Sequence, residues 1–152
     1  MLRLSKMADY GIVLMSYIAQ TDTDAARTAR DLAEVSNLPL PTVSKVLKAL
    51  SRAGLLSAQR GKRGGYALVR TAGEINVAEM IAALDGPIAL TDCSHLTPGA
   101  CDLQPSCPTR GNWSLISATV DRALADLSLA DLSPTADCCK STANPSPLEI
   151  LP

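Results

Sequence analysis

Residues 38–69 read LPLPTVSKVLKALSRAGLLSAQRGKRGGYALV, and this stretch decides the fold. Pro41 suits the first turn of a helix, because its ring is already held near the helical φ angle. With about 100° of rotation per residue, Lys45, Lys48 and Arg52 fall on one side of this helix and its aliphatic residues on the other. The pattern predicts a helix that packs through one face and presents positive charge on the opposite face.

A basic hairpin is predicted directly after this helix, which ends at Ala53 before Gly54. Two short strands, 55–59 and 66–69, flank a tip that is rich in glycine. Glycine permits the positive φ angles that a hairpin tip needs. The tip carries three cations that would project from it: Arg60, Lys62 and Arg63.

Two further helices precede the basic one. The first spans 5–20 and is entered at Ser5, and a capping box of Thr28 and Asp31 starts the second. Two helices, a basic third helix and a basic hairpin form a winged helix-turn-helix, which we predict for 1–73. In this fold the third helix enters the major groove and the wing lies along phosphates. The alternative is a helix pair with a hairpin whose role is purely structural.

Charge is segregated along the chain, although the 152 residues carry a net charge of only −1. Residues 1–73 hold eleven Lys or Arg and five Asp or Glu, whereas 74–152 hold three and ten. This segregation is expected if the first half of the chain binds a polyanion. The alternative explanation is a basic face that is merely solvated. We therefore expect double-stranded DNA as the partner. No apolar stretch is long enough for a membrane helix, and no membrane contact is expected.

Two kinds of DNA contact are predicted. Thr42 and Ser44 flank the charged face near the start of the third helix, where a reading helix meets base edges. The cations are expected mainly to neutralise phosphates: Lys45, Lys48, Arg52, Arg60, Lys62 and Arg63.

The second half of the chain is predicted to hold a connecting helix, a dimerisation helix and a tail. The connecting helix is predicted within 74–87. Asn76 is its expected N-cap, and Glu79, three residues later, is expected to complete a capping box. Residues 113–132 form one long amphipathic helix, whose single apolar stripe favours pairing with a second subunit; the stripe consists of Trp113, Ile116, Val120, Leu124 and Leu127. The alternative is that this helix packs on the first helix of its own chain. A mobile tail is expected over 133–152.

Three of the five cysteines lie in a predicted loop, 88–112. Cys93, Cys101 and Cys107 are spaced C-x7-C-x5-C, which is not a zinc-ribbon pattern. Such wide spacing suits an iron–sulfur cluster better than a single ion, although three unrelated thiols are the alternative. Grouped thiols without an export signal indicate a reducing compartment, so a cytoplasmic protein is expected.

Four segments together resemble a known family: 4–11, 40–47, 60–66 and 107–113. They are similar to the IscR/NsrR type of iron–sulfur winged-helix transcription regulator, in the Rrf family, and most of all to regulators of the SUF iron–sulfur assembly system. The resemblance implies a homodimer that binds a palindromic operator. It also implies a repressor that senses iron–sulfur cluster status, redox stress or nitric oxide and controls iron–sulfur assembly genes.

The resemblance leaves the fourth cluster ligand open, with either two or four irons. In one branch a His follows the last Cys by three residues, and Arg110 stands there in this chain. In the other branch an acid on the first helix of the partner subunit is the ligand, and Asp9 occupies that place. His95 is the second candidate, and Asp9 has an alternative role as a helix-start carboxylate.

An enzyme is not expected, because the chain has no glycine-rich phosphate loop and no nucleophile–base pair. Two alternatives use the same cysteines. One is a zinc-stabilised DNA-binding module without sensing, and the other is a small iron–sulfur electron-transfer protein.

Overall fold

The computed structural model describes residues 4–20, 26–61, 64–91 and 107–132. In chain order the elements are α1 (Lys6–Ala19), α2 (Ala29–Ser36), α3 (Leu40–Arg52), β1 (Leu56–Gln59), β2 (Gly65–Leu68), a 3₁₀ turn (Ala72–Glu74), α4 (Val77–Asp85), α5 (Arg110–Ala125) and α6 (Leu129–Leu132). The predicted class, mainly α with a small β-wing, is confirmed. The predicted tail, 133–152, lies outside the described residues.

Side-chain caps start the first two helices, as predicted. The Ser5 hydroxyl accepts hydrogen bonds from the backbone N–H groups of Met7 and Ala8, both at 3.1 Å. Thr28 and Asp31 form a reciprocal capping box at the start of α2. Hydrogen bonds from Thr28 lower the pKa of the Asp31 carboxyl, because they favour its charged form. The side chain of Thr28 has the larger effect and its backbone N–H the smaller one. Both helices thus begin where local sequence chemistry satisfies their free N–H groups.

The start of α4 departs in part from the prediction. The Asn76 side chain accepts a hydrogen bond from the backbone N–H of Glu79 at 2.9 Å, which confirms it as the cap. The Glu79 carboxylate does not complete a capping box; it accepts a hydrogen bond from Arg70 at 2.7 Å. Arg70, which follows the second strand of the wing, therefore binds the Glu79 carboxylate in place of the backbone N–H of the N-cap.

The core forms around α1, which packs against α3, α4 and α6. Leu14 and Met15 of α1 are completely buried, and so is Met80 of α4. Gly11 lies at the contact of α1 with α4, where a Cβ atom would displace the end of the Leu84 side chain. The face that α3 turns to this core consists of four aliphatic residues: Val43, Val46, Leu47 and Leu50.

The wing is an antiparallel pair in which Leu56 lies opposite Leu68 and Gln59 opposite Gly65. A third segment, which the sequence did not predict, joins its outer edge. The backbone N–H of Arg27 donates to the Tyr66 carbonyl at 3.1 Å, and the N–H of Tyr66 donates back to the Arg27 carbonyl at 2.8 Å. This bridge ties the wing to the residues that lead into α2.

The prediction of one helix over 113–132 is wrong. Helix α5 begins earlier, at Arg110, and ends at Ala125; α6 follows after a break. In the break the backbone pairs with the start of α4: the Val77 N–H donates to Leu127 at 2.9 Å, and the Leu129 N–H donates to Ile75 at 2.7 Å. Leu129 is completely buried, so burial of this side chain turns the chain back onto the core.

Helix α6 packs against α1, so the alternative of packing on the first helix holds for the end of the predicted dimerisation helix. Residues 111–125 of α5 contrast with it, because Ser117 is the one buried residue among them. The Ser117 hydroxyl accepts a hydrogen bond from the Leu90 N–H at 3.3 Å. Among the described helices, none combines the length and apolarity needed to cross a membrane.

Candidate nucleic-acid interface

The two faces of α3 differ as predicted. Lys45, Lys48 and Arg52 are exposed, and we call these three residues the basic stripe. The aliphatic residues of the opposite face fill the core, which fixes the rotation of the helix about its axis. The stripe therefore faces away from the domain because burying the other face leaves it no alternative.

The charge of the basic stripe is not compensated by the described residues. In the part of the chain that the structure describes, no ion pair engages Lys45, Lys48 or Arg52. The first turn of α3 holds no acidic residue, and the sequence has none between Val35 and Gly73. Exposed cations without such ion pairs remain available to a polyanion.

Arg70 is the basic residue of this region that the structure removes from the candidate interface. Its guanidinium binds the Glu79 carboxylate at 2.7 Å and the Glu74 carbonyl at 3.1 Å. The hydrogen bond to Glu79 raises the pKa of Arg70 above its already high ordinary value. Arg70 thus links the end of the wing to α4, and its positive charge is locally compensated.

The predicted base-reading residues, Thr42 and Ser44, lie in the first turns of α3 and are half-buried. Arg60 follows β1 and is exposed at the base of the wing tip. Gly61 has a φ of +119°, a left-handed conformation that glycine adopts at little cost. The other two predicted wing contacts, Lys62 and Arg63, lie outside the described residues.

One cation near the wing is absent from the predicted set. Arg30 is exposed in the first turn of α2, and the Arg27–Tyr66 bridge holds that end of α2 beside the wing. The Thr28–Asp31 capping box already placed Arg30 at the start of a helix. The sequence held no sign of the bridge, because a single pair of backbone hydrogen bonds leaves no side-chain pattern.

The predicted metal ligands are described only in part. Cys107 is half-buried in the residues that precede α5, with its Sγ 3.3 Å from the Oγ1 of Thr109, the N-cap of that helix. Asp9 is exposed in the first turn of α1. Cys93, Cys101 and His95 lie outside the described residues. Within the described ranges, no three His, Cys, Asp or Glu side chains come together as a metal site.

Apolar side chains are exposed along α5. Trp113 is 39% exposed and Ile116 42%, both on the predicted dimerisation stripe. Leu115 is more exposed still, at 68%, and lies about 100° away from Ile116 around the helix. Large exposed apolar groups on one helical face, here Trp113 and Ile116, are typical of a surface that another protein covers, whereas Leu115 lies outside that face.

Comparison with known proteins assigns the chain to a family. The family model described as Rrf2, iron-dependent transcriptional regulator, matches residues 4–135. The chain belongs to the Rrf2 family. The match includes α3, the wing and α5, so the exposed cations lie within a domain whose relatives regulate transcription. The assignment confirms the predicted relationship to IscR-type regulators at the level of the family.

Relatives in the Rrf2 family cover most of the chain. The protein Rrf2 of Nitratidesulfovibrio vulgaris is 28% identical over 147 residues, 96% of this chain and 97% of its own length. The transcriptional regulator IscR of Xenorhabdus nematophila is 30% identical over 131 residues, 86% of this chain and 79% of its own. The solved structure of CymR, the global cysteine regulator of B. subtilis, has a TM-score of 0.69 and 27% identity, covering 88% of this chain and 97% of that one. This member of the Rrf2 family is therefore a DNA-binding transcription regulator with the winged-helix fold, and not an enzyme.

Proposed function

We propose that this Rrf2-family regulator binds a palindromic operator as a homodimer, with α3 of each subunit in the major groove and each wing along the adjacent phosphates. Residues 1–73 then form the DNA-binding unit. Lys45, Lys48, Arg52 and Arg60 neutralise phosphates, together with Lys62 and Arg63, while Thr42 and Ser44 contact base edges. The basic stripe carries this proposal, because its charges are exposed, and form no ion pair with the described residues, on a helix held rigidly by its other face.

Salt dependence of binding tests the phosphate contacts. Removing one phosphate contact should lower the slope of log affinity against log salt by about one. We expect this change for Lys48→Ala and for Arg52→Ala, measured by fluorescence anisotropy on duplex DNA. Arg122→Ala is the matched control, since Arg122 is an exposed cation on α5, away from the stripe. Equal slopes for all three variants and the unmodified protein would reject the interface.

The dimer is supported by the exposed apolar stripe of α5. Trp113 and Ile116 lie on it, and a second copy of α5 would cover them through the same residues. Ile116→Asp should yield a monomer in sedimentation at concentrations where the unmodified chain is dimeric. Leu115→Asp is the control, because Leu115 is exposed off the stripe. A monomeric unmodified chain, or equal effects of both substitutions, would contradict the dimer.

We further propose that Cys93, Cys101 and Cys107 hold an iron–sulfur cluster within 88–112. Cys107 supports this, because its Sγ lies 3.3 Å from the Oγ1 of Thr109, the N-cap of α5, and the N-terminal end of a helix favours an anionic sulfur. The exposed Asp9 can serve a partner subunit as fourth ligand, with His95 as the alternative. When bound, the cluster would give the protein a form whose abundance depends on the supply of iron and on oxidants. The chain itself contributes the three cysteines, which precede the dimerisation helix in the sequence.

Protein purified without oxygen tests the cluster. Visible absorption and about two or four irons per chain are expected, and Cys107→Ser should lose both. Asp9→Ala and His95→Ala, compared in the same assay, separate the two candidates for the fourth ligand. Colourless, iron-free protein that contains zinc would instead support the zinc-stabilised module. The family assignment favours a regulator over the electron-transfer alternative.

We propose that the regulator acts in the cytoplasm and that its targets are iron–sulfur assembly genes. It represses these genes while the iron–sulfur cluster is bound, and redox stress or nitric oxide relieves the repression. The IscR relative and the description of the family as iron-dependent support a regulator that responds to iron. The CymR likeness supports a second candidate, a regulator of cysteine metabolism. Measuring which genes change on deletion, under iron limitation and under cysteine limitation, separates the two.

A further inference from the structure

Pro41 stands on the same helical face as the basic stripe. It precedes Lys45 by four residues, Lys48 by seven and Arg52 by eleven, and these spacings bring all four to one side of α3. All four are exposed. Pro41 is the one uncharged member of the row, and it occupies the end nearest the N-terminus of α3. In a reading helix this end meets the base edges.

The chemistry of Pro41 restricts what it can contact there. A proline has no backbone N–H and no polar side-chain atom, so it donates no hydrogen bond to a phosphate or a base. The floor of the major groove carries one apolar group, the C5-methyl of thymine. We propose that Pro41 determines specificity by packing its ring against a thymine methyl in each half-site.

The surroundings of Pro41 favour this contact. The α3 N-cap is Pro39, which makes no side-chain cap hydrogen bond, and the first turn holds no acidic residue to repel DNA. Leu40, the preceding residue, is 41% exposed and is a second apolar side chain at this end of α3. The ring of Pro41 has almost no rotamer freedom, so little conformational entropy is lost when it is covered. This inference rests on the proposed function, since it requires α3 to enter the major groove.

The experiment uses the full chain, purified without oxygen, and duplexes selected by it from a randomised pool. Each thymine of a selected duplex is replaced in turn by deoxyuridine, which lacks only the C5-methyl. One thymine per half-site should lose affinity about fourfold on replacement, the value of burying one methyl group. Pro41→Ala should lose most of this sensitivity while keeping its affinity for the uracil duplex. Alanine is well tolerated in helices, so folding is preserved.

Val35→Ala is the control, because Val35 is 47% exposed on α2 and lies off the stripe. It should retain the full sensitivity to uracil. The inference is overturned if Pro41→Ala shows the same loss on uracil as the unmodified chain, or if no thymine substitution affects the unmodified chain. Failure to bind any duplex at low salt would instead overturn the proposed function, and this inference with it.

Discussion

Gly65 lies against the backbone of Arg27: a Cβ atom on Gly65 would be 2.6 Å from the Arg27 carbonyl oxygen. This close approach occurs beside the pair of hydrogen bonds between Arg27 and Tyr66. Backbone atoms cannot move aside as the end of a flexible side chain can. The absence of a side chain at Gly65 is therefore what allows the wing to join the residues that lead into α2.

Gly65→Ala should destabilise the protein by about 1–3 kcal/mol, the usual cost of forcing extra atoms into a packed site. Urea unfolding measures this loss. Gly73→Ala is the control, since a Cβ at Gly73 meets no atom within 4 Å. Equal stability of the two variants would contradict the close approach. Because the wing also contacts DNA in the proposed function, Gly65→Ala should weaken DNA binding as well.

Leu129→Ala should lower the free energy of unfolding by about 2–5 kcal/mol, because removing most of a completely buried side chain leaves a cavity in its place. The same substitution at Leu115, which is 68% exposed, controls for the loss of a leucine on the neighbouring helix. Denaturant midpoints compare the two. If Leu129→Ala is no less stable than Leu115→Ala, the segment of α6 is not part of the core.

Ser5 and Asp85 couple the start of α1 to the end of α4. The Ser5 hydroxyl and backbone N–H donate to the Asp85 carboxylate, at 2.5 and 3.2 Å. Ser5→Ala should cost about 1 kcal/mol, mainly through the lost cap. In a double-mutant cycle, Ser5→Ala with Asp85→Ala should cost less than the sum of the two, because both remove the hydrogen bond from the Ser5 hydroxyl to Asp85. Asp121→Ala on α5 should add independently to Ser5→Ala, and additivity in both pairs would argue against the link.

Stability should depend on pH through Asp31. Its pKa is lowered from 3.8 in the folded protein by Thr28, so it binds a proton more readily in the unfolded chain. The resulting stabilisation is present above pH 3.8 and is lost as the pH falls through the lower folded pKa. Asp31→Asn should therefore be less stable than the unmodified protein at pH 7, and the difference should shrink in strong acid.

Urea unfolding at both pH values measures this difference. Glu34→Gln removes another exposed carboxylate of α2, outside the capping box, and serves as the control. A gap between Asp31→Asn and the unmodified protein that persists undiminished in strong acid would show that the carboxylate charge is not the cause.

Local chemistry explains which features were predictable. The cap at Ser5, the capping box at Thr28 and Asp31, and the division of α3 into two faces all depend on residues within one or two helical turns. The Arg70–Glu79 ion pair joins side chains of two different elements, and the bridge of Arg27 to Tyr66 joins distant residues through backbone alone. No periodicity records such contacts. The base-reading residues remain predictions, since DNA contacts are not part of the protein's own fold.

The order of amino acids determined by itself where α1, α2 and α4 begin, which side of α3 is charged, and that the wing is basic. These follow from helical geometry, capping hydrogen bonds and the placement of charged side chains, all of which act over short distances along the chain. Only the tertiary structure decided that the predicted long helix breaks after Ala125, that Leu129 returns to the core, and that Arg70 is bound away from the interface. Those outcomes depend on which surfaces compete for burial or for a counter-charge, and that competition exists only once distant segments have packed together.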